Sequence, residues 1–292
     1  MEHCSYFIPD KALFGSFPTQ ETVDILEEHG VRYFIDLTEE GESNTIPYRT
    51  RYKYIKYPIR DRSIPENWRT FAKLIVKVCN ILQRLRVGEK MYVNCRGGHG
   101  RSGTVVACIL AHYFEIPASD ALAMTSKYHS ERENMREKWR KIGSPQGKSQ
   151  KDFVYKFFKP LKFSKHSVFN STSDHSVTVP SVGTFANAHL AFQYYRSDNE
   201  EYVEQLLHGE FCPDLAENSQ DWEENKVEYM YKVLEYKFRQ HTELYEYLVN
   251  TGLRPIVKMS RDSFWGVGDD GRGKNVHGKL LTRLRDKFLS EN

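Results

Sequence analysis

Cys95-Arg-Gly-Gly-His-Gly-Arg101 sets one cysteine and one arginine six residues apart on a glycine-rich turn, with Ser102-Gly-Thr directly after. A turn of this composition aims successive main-chain N–H groups at one point. A helix N-terminus behind it adds positive potential, and the combination suits a dianion. A cysteine at the base of such a loop is expected as thiolate, the nucleophilic form. The arginine can hold two phosphate oxygens in a bidentate fork. These residues point to covalent phosphoryl transfer to sulfur. Arg96, Gly97, Gly98, His99 and Gly100 form the phosphate-binding stretch, where Arg96 and His99 are expected to add positive charge.

The elements that must position this loop lie on both sides of it. Residues 91–95 read as a strand and residues 105–114 as an apolar helix. Upstream, 31–38 is β-branched and aromatic, follows a helical stretch at 22–30, and is succeeded by an alternating segment at 52–58. Phe71, Leu74, Ile75, Val78, Ile81, Leu82 and Leu85 recur at helical spacing. A further helix is expected at 119–129, just after Pro117. This alternation implies an α/β layered domain with a central, mostly parallel sheet flanked by helices, and phosphate bound at the carboxyl ends of its strands.

The texture changes over residues 160–184, which are Ser/Thr-rich, and a domain boundary is expected near residue 162. The chain then divides into 1–162 and 163–292. The second part reads as mainly α-helical. Residues 221–250 form one long helix or two joined ones, with Gly252 as a C-cap. A glycine-dense turn over 265–275 precedes a terminal helix carrying Leu280, Leu281, Leu284 and Phe288.

Composition bounds the function. A chain of 292 residues has room for two cores. Its mean hydropathy of −0.64 and the absence of an apolar run near 20 residues argue against a membrane protein. The N-terminus lacks the basic and apolar regions of a signal peptide. Five scattered cysteines form no disulfide framework and no metal-ligand spacing, which fits a reducing, cytoplasmic setting. A net charge of +3 does not indicate nucleic-acid binding.

The string at 94–104 resembles the Cys-x5-Arg signature of protein tyrosine and dual-specificity phosphatases, a resemblance extending over roughly residues 5–158. It implies Cys95 as nucleophile, Arg101 as clamp on phosphate and transition state, and Ser102 as the hydroxyl that assists departure of the thiolate. The leaving oxygen needs a proton. Asp61, in a loop between strand and helix upstream, is the expected general acid; its alternative reading is a turn or N-cap aspartate. Gln150, with Gln146 as second choice, matches the water-positioning glutamine of some members. Asn94 departs from the histidine usual before the cysteine. The lysine pair of phosphoinositide phosphatase loops is absent.

The second half resembles the NADAR superfamily (NAD- and ADP-ribose-associated, YbiA-like) over roughly 165–288. The match rests on Asp221, Trp222, Lys226, Met230, Leu234, Lys237 and Phe238. A closing motif of Asp262, Trp265, Gly266, Gly268, Asp269, Gly271, Gly273, Asn275 and Gly278 completes it. It implies a pocket for an ADP-ribose-like nucleotide. Trp222 or Trp265 would stack, Asp262 or Asp269 would act as acid or orient a ribose hydroxyl, and Lys226, Gly266 and Asn275 belong to the same site. Each also has a core or turn reading. His189 stands where members carry a glutamate, which leaves N-glycosidase action, nucleotide binding or a structural role open; His189 acting as acid near neutral pH is one expectation.

Together these readings predict a phosphomonoesterase acting through a phosphocysteine, without metal or organic cofactor, on phosphorylated proteins. RNA 5′ phosphates or phosphoinositides are alternative substrates. The alternative from another class is a pseudophosphatase that binds phosphorylated and ADP-ribose ligands without turnover.

Overall fold

Short strands build the sheet of the first unit. In chain order they are β1 (Cys4–Ile8), β2 (Ala12–Gly15), β3 (Val31–Asp36), β4 (Lys53–Lys56) and β5 (Lys90–Asn94). They lie in the order β1-β2-β5-β3-β4. Only β1–β2 is antiparallel; the other pairs are parallel, as the strand–helix alternation requires. The β1–β2 hairpin, of five and four residues, has no counterpart among the expected elements.

The helices of this unit are α1 (Gln20–Glu28), α2 (Trp68–Arg84), α3 (Arg101–Tyr113), α4 (Ala118–Ser130), α5 (Glu137–Ile142) and α6 (Lys148–Phe157). Asn67 caps α2 by accepting from the Thr70 N–H. One face of α2 buries Phe71, Leu74, Ile75, Val78 and Leu82, each contributing roughly 1.5–3 kcal/mol by removal from water. α3 is apolar on every side, and Val105–Leu110 are wholly buried where it packs against α2, α4 and α6. Central β5 aligns Gly15 of β2 and Asp36 of β3 with Asn94. Three carboxyl ends therefore stop at one level, and the loop at 95–100 starts there.

The computed structural model describes residues 3–291. It divides into Met1–Lys159 and Pro160–Asn292. The second unit holds β6 (Leu161–Phe163), β7 (Val177–Val179), β8 (Gly183–Phe185), α7 (Ala188–Tyr194), α8 (Glu200–Leu207), α9 (Trp222–Gln240), α10 (Thr242–Val249), β9 (Ile256–Lys258) and α11 (Val276–Glu291). Helices dominate it, with two small sheets, parallel β6–β9 and antiparallel β7–β8. The pattern at 221–250 resolves into two helices because His241 is extended (φ −120°, ψ 99°). Its core gathers Phe163, Phe169, Phe185, Leu234, Phe238, Leu281 and Phe288. Among the described residues no helix is long and apolar enough to cross a membrane.

Candidate active site

The loop between β5 and α3 is fastened by its carbonyl groups. Phe17 N–H donates to Arg96 O (3.1 Å), Arg132 Nη1 to Gly98 O (2.9 Å), Ser144 Oγ to His99 O (2.7 Å) and Thr104 N–H to Gly100 O (2.9 Å). With these oxygens held on the outside, the main-chain N–H groups of residues 96–100 have no acceptor among the described residues. Arg101 opens α3, so the helix N-terminus adds its partial positive charge behind them. Gly98 cannot be replaced: its φ is +72°, and a Cβ there would meet the Gly15 carbonyl carbon at 2.4 Å.

A cleft of about 240 Å³ opens over this loop, lined by Cys95, Arg96, Gly97, His99, Gly100, Arg101, Asp61, Arg62, Trp139, Gln146 and Gln150. The expected nucleophile, clamp, acid and glutamine thus meet in one place. Gly98 is absent from the lining because it faces β2. Cys95 is 3% exposed, which limits access to its sulfur to the cleft.

Arg101, 2% exposed, makes a two-point fork with Glu42 (2.7 and 2.6 Å), donates to Ile59 O (2.9 Å) and reaches Asp61 Oδ1 (3.0 Å). Burial alone would lower its pKa; the Glu42 carboxylate outweighs that and raises it. Burial would likewise raise Glu42, but the Arg101 fork holds its carboxyl below the usual range. Arg96 donates to the other oxygen of Asp61 (2.8 Å). Asp61 therefore sits beside the clamp, at the rim of the cleft. A phosphate entering the cradle competes with two carboxylates for Arg101. Glu42 is a site residue absent from the expected set, since it lies in an irregular loop 59 residues from Arg101 in sequence.

Asn94 does more than stand in for a histidine. It is fully buried, donates from Nδ2 to Asp36 Oδ1 (3.0 Å) and accepts from Tyr48 Oη (3.4 Å). Asp36 also takes Tyr54 Oη and Lys56 Nζ, both at 2.6 Å. The residue before the nucleophile is thereby pinned across β3 and β4. Ser102 Oγ is wholly buried and has no hydrogen-bond partner among the described residues. Gln150 is fully buried; its Nε2 donates to Ser63 O (3.1 Å) and its Oε1 accepts from Gly147 N–H (3.1 Å). It ties α6 to the loop that carries Asp61. Gln146 also lines the cleft, and the choice between the two glutamines as holder of the water stays with the proposal below.

His99 corrects an expectation. Its Nδ1 shares a hydrogen bond with His129 Nε2 (2.8 Å), and its ring stacks on Trp139 at 4.7 Å between centroids. Burial, with nearby Arg132 adding to it, pushes His99 down to about 4 and His129 to about 3. Both rings are neutral at physiological pH, so His99 adds no charge to the cradle.

In the second unit most expected nucleotide contacts are already in use. Asn275 donates to Ile256 O (2.8 Å) and accepts from Lys258 N–H (2.9 Å), which fastens β9. Asp262 Oδ1 caps its own turn, accepting from the N–H groups of Phe264 and Trp265, both at 2.8 Å. A Cβ on Gly266 would meet Ser260 Oγ at 2.2 Å, so this glycine serves packing. Trp222 is 7% exposed and lies on Phe192, which also contacts Trp265. Lys226 pairs with Glu223 and sits over the Phe264 ring. Of the expected set, half-buried Trp265 and His189 and exposed Asp262 and Asp269 keep polar or aromatic surface. Burial, then Lys258, lowers the His189 pKa, so its ring is neutral and poorly suited to act as an acid at pH 7.

Two family models match. Residues 1–153 match the Swiss Army Knife protein DSP-PTPase phosphatase domain, and residues 147–289 match the NADAR domain. Protein 197R of Invertebrate iridescent virus 6, provisionally named a tyrosine phosphatase, is 33% identical over 98% of this chain and 96% of its own length. Protein 067L of Invertebrate iridescent virus 3, with a name of the same kind, is 42% identical over 54% of this chain and 66% of its own. The N-glycosidase YbiA of Shigella boydii is 40% identical over 24% of this chain and 45% of its own length. With its nucleophile loop in the matched segment and one relative aligned along nearly its whole length, the chain belongs to the DSP-PTPase family of phosphatases, joined here to a NADAR domain.

Proposed function

We propose that the first unit hydrolyses phosphoproteins through a phosphocysteine. The Cys95 thiolate attacks phosphorus, the ester P–O bond breaks, and the leaving oxygen takes the proton of Asp61. Water then attacks the phosphocysteine while Asp61 accepts its proton. The S–P bond breaks, Cys95 leaves as thiolate beside the Ser102 hydroxyl, and inorganic phosphate is released. Arg101 and the N–H groups of the loop meet the charge on the non-bridging oxygens in both steps. Gln150 holds the Asp61 loop against α6, and it or Gln146 orients the water. Phosphate sits at the carboxyl ends of β2, β3 and β5, as expected for this layering.

The observation that carries this reading is the row of N–H groups at 96–100 without an acceptor among the described residues, beside a cleft that also holds Cys95, Arg101 and Asp61. Turnover by the full chain of an aryl phosphate, abolished in Cys95→Ser, is the expected result. Stoichiometric capture of the phosphate ester by the wild-type chain without release would support the binding-protein reading instead. For the second unit, the match to the NADAR domain supports binding of an ADP-ribose-type nucleotide. Calorimetry with ADP-ribose tests it, and the absence of any heat of binding would overturn it.

A further inference from the structure

Arg132, just after α4, is 2% exposed and lies behind the loop. Its guanidinium donates to Gly98 O (2.9 Å), Phe14 O (3.1 Å) and Ser5 Oγ (3.4 Å) and lies over the Phe14 ring at 4.4 Å. Every one of these partners is neutral. No carboxylate pairs with it among the described residues, whereas Arg101, the other buried arginine of this unit, has two. The ionisable groups around Arg132 are Tyr92, Cys4 and Cys95, together with the neutral rings of His99 and His129. A buried cation without a counterion is costly, so a fold that keeps one gains something from its charge or from its donors.

Its donors fix a peptide plane. Gly98 has φ +72°, and a glycine peptide of this kind can turn over at small cost. Holding Gly98 O outward obliges the next N–H, that of His99, to point the opposite way, into the cleft. Turned over, the same peptide would present a carbonyl oxygen to the phosphate.

We propose that Arg132 is the positioning residue of the phosphate cradle: it locks the Gly98–His99 peptide in the anion-accepting orientation and leaves its own charge to be balanced by the anion in the cleft. The inference rests on the phosphatase reading of that cleft. Arg132 touches no reacting atom and acts only through the loop.

Inhibition by tungstate and inorganic phosphate, with thermal unfolding of the full chain with and without tungstate, tests the lock. In Arg132→Met both inhibition constants rise on the order of tenfold to a hundredfold, as for loss of a charged donor to a buried carbonyl. The tungstate-induced gain in melting temperature shrinks with them. Arg132→Lys keeps the charge but only part of the fork, and its inhibition constants rise by about threefold to tenfold with its own melting temperature near wild type. A purely structural role would lower melting temperature and leave oxyanion affinity of the folded protein unchanged; that result would overturn the proposal. If Arg132→Met does not fold, wild-type oxyanion affinity in Arg132→Lys overturns it equally. A wild-type chain that neither bound tungstate nor turned over aryl phosphate would overturn the phosphatase reading itself, and this one with it.

Discussion

The two units use their polar groups in opposite ways. Around Cys95 the structure leaves hydrogen-bonding capacity open: five main-chain N–H groups at 96–100 and the Ser102 hydroxyl have no protein partner among the described residues. Around Trp265 the motif residues are committed to their own backbone, with Asn275 on β9 and Asp262 on its own turn. Burying polar groups without partners is unfavourable, so a cluster of them marks a place where a ligand supplies the missing partners. Motif residues whose side chains are engaged in this way, as those of Asn275 and Asp262 are, serve the fold at those positions. A motif matched in sequence can thus supply open ligand donors in one unit and mostly fasten backbone in the other.

Arg101→Ala gives the largest effect expected. Loss of the clamp removes both its oxyanion donors and its charge, and aryl-phosphate kcat falls by about 10³-fold or more. The same activity in Asn275→Ala stays within about twofold, and a large loss there would break the contrast. Asp61→Asn comes next. It lowers kcat by roughly 10²-fold to 10³-fold with ordinary alkyl phosphates and much less with substrates whose leaving group needs no proton, a difference read directly from a leaving-group series.

Asn275→Ala acts on stability instead. It leaves the Ile256 carbonyl and the Lys258 N–H without their partner, and the second unit loses about 1–3 kcal/mol, measured by denaturant unfolding. An unchanged unfolding midpoint would return Asn275 to the list of ligand contacts. The smallest effect concerns pH. Glu42 has a depressed carboxyl pKa in the folded state, so its stabilising pairing is complete above the unfolded value and is lost as pH falls through the folded one. Melting temperature of the wild type therefore drops toward that of Glu42→Gln below about pH 4.5, and a gap that persisted in stronger acid would show that the pair acts through packing.

Elements with full periods were legible before any coordinates. α2, with seven apolar residues at helical spacing, and the β5–loop–α3 unit stand where their sequence places them. The β1–β2 hairpin was not legible, nor were the short strands of the second unit, because neither clear alternation nor an adjoining motif marks them as it does β4 and β5. In the site, Cys95, Arg101 and Asp61 were legible from residue type and order. Glu42 and Arg132 were not: each lies in an irregular stretch, and a lone glutamate or arginine there has no pattern to distinguish it. His99 was misread as a cation because the burial and the nearby Arg132 that keep it neutral arise only when residues distant in sequence pack around it.

What the sequence determined by itself is the chemistry, since the spacing of Cys95 and Arg101 on a glycine turn is local. What tertiary structure decided is which charges are available to that chemistry. Glu42 comes to Arg101 across 59 residues, Asp36 to Asn94 across 58 and Arg132 to Gly98 across 34. Such pairings depend on how the layers of the fold bring distant loops together, and electrostatic interactions depend steeply on separation and burial, quantities that only the packed chain defines.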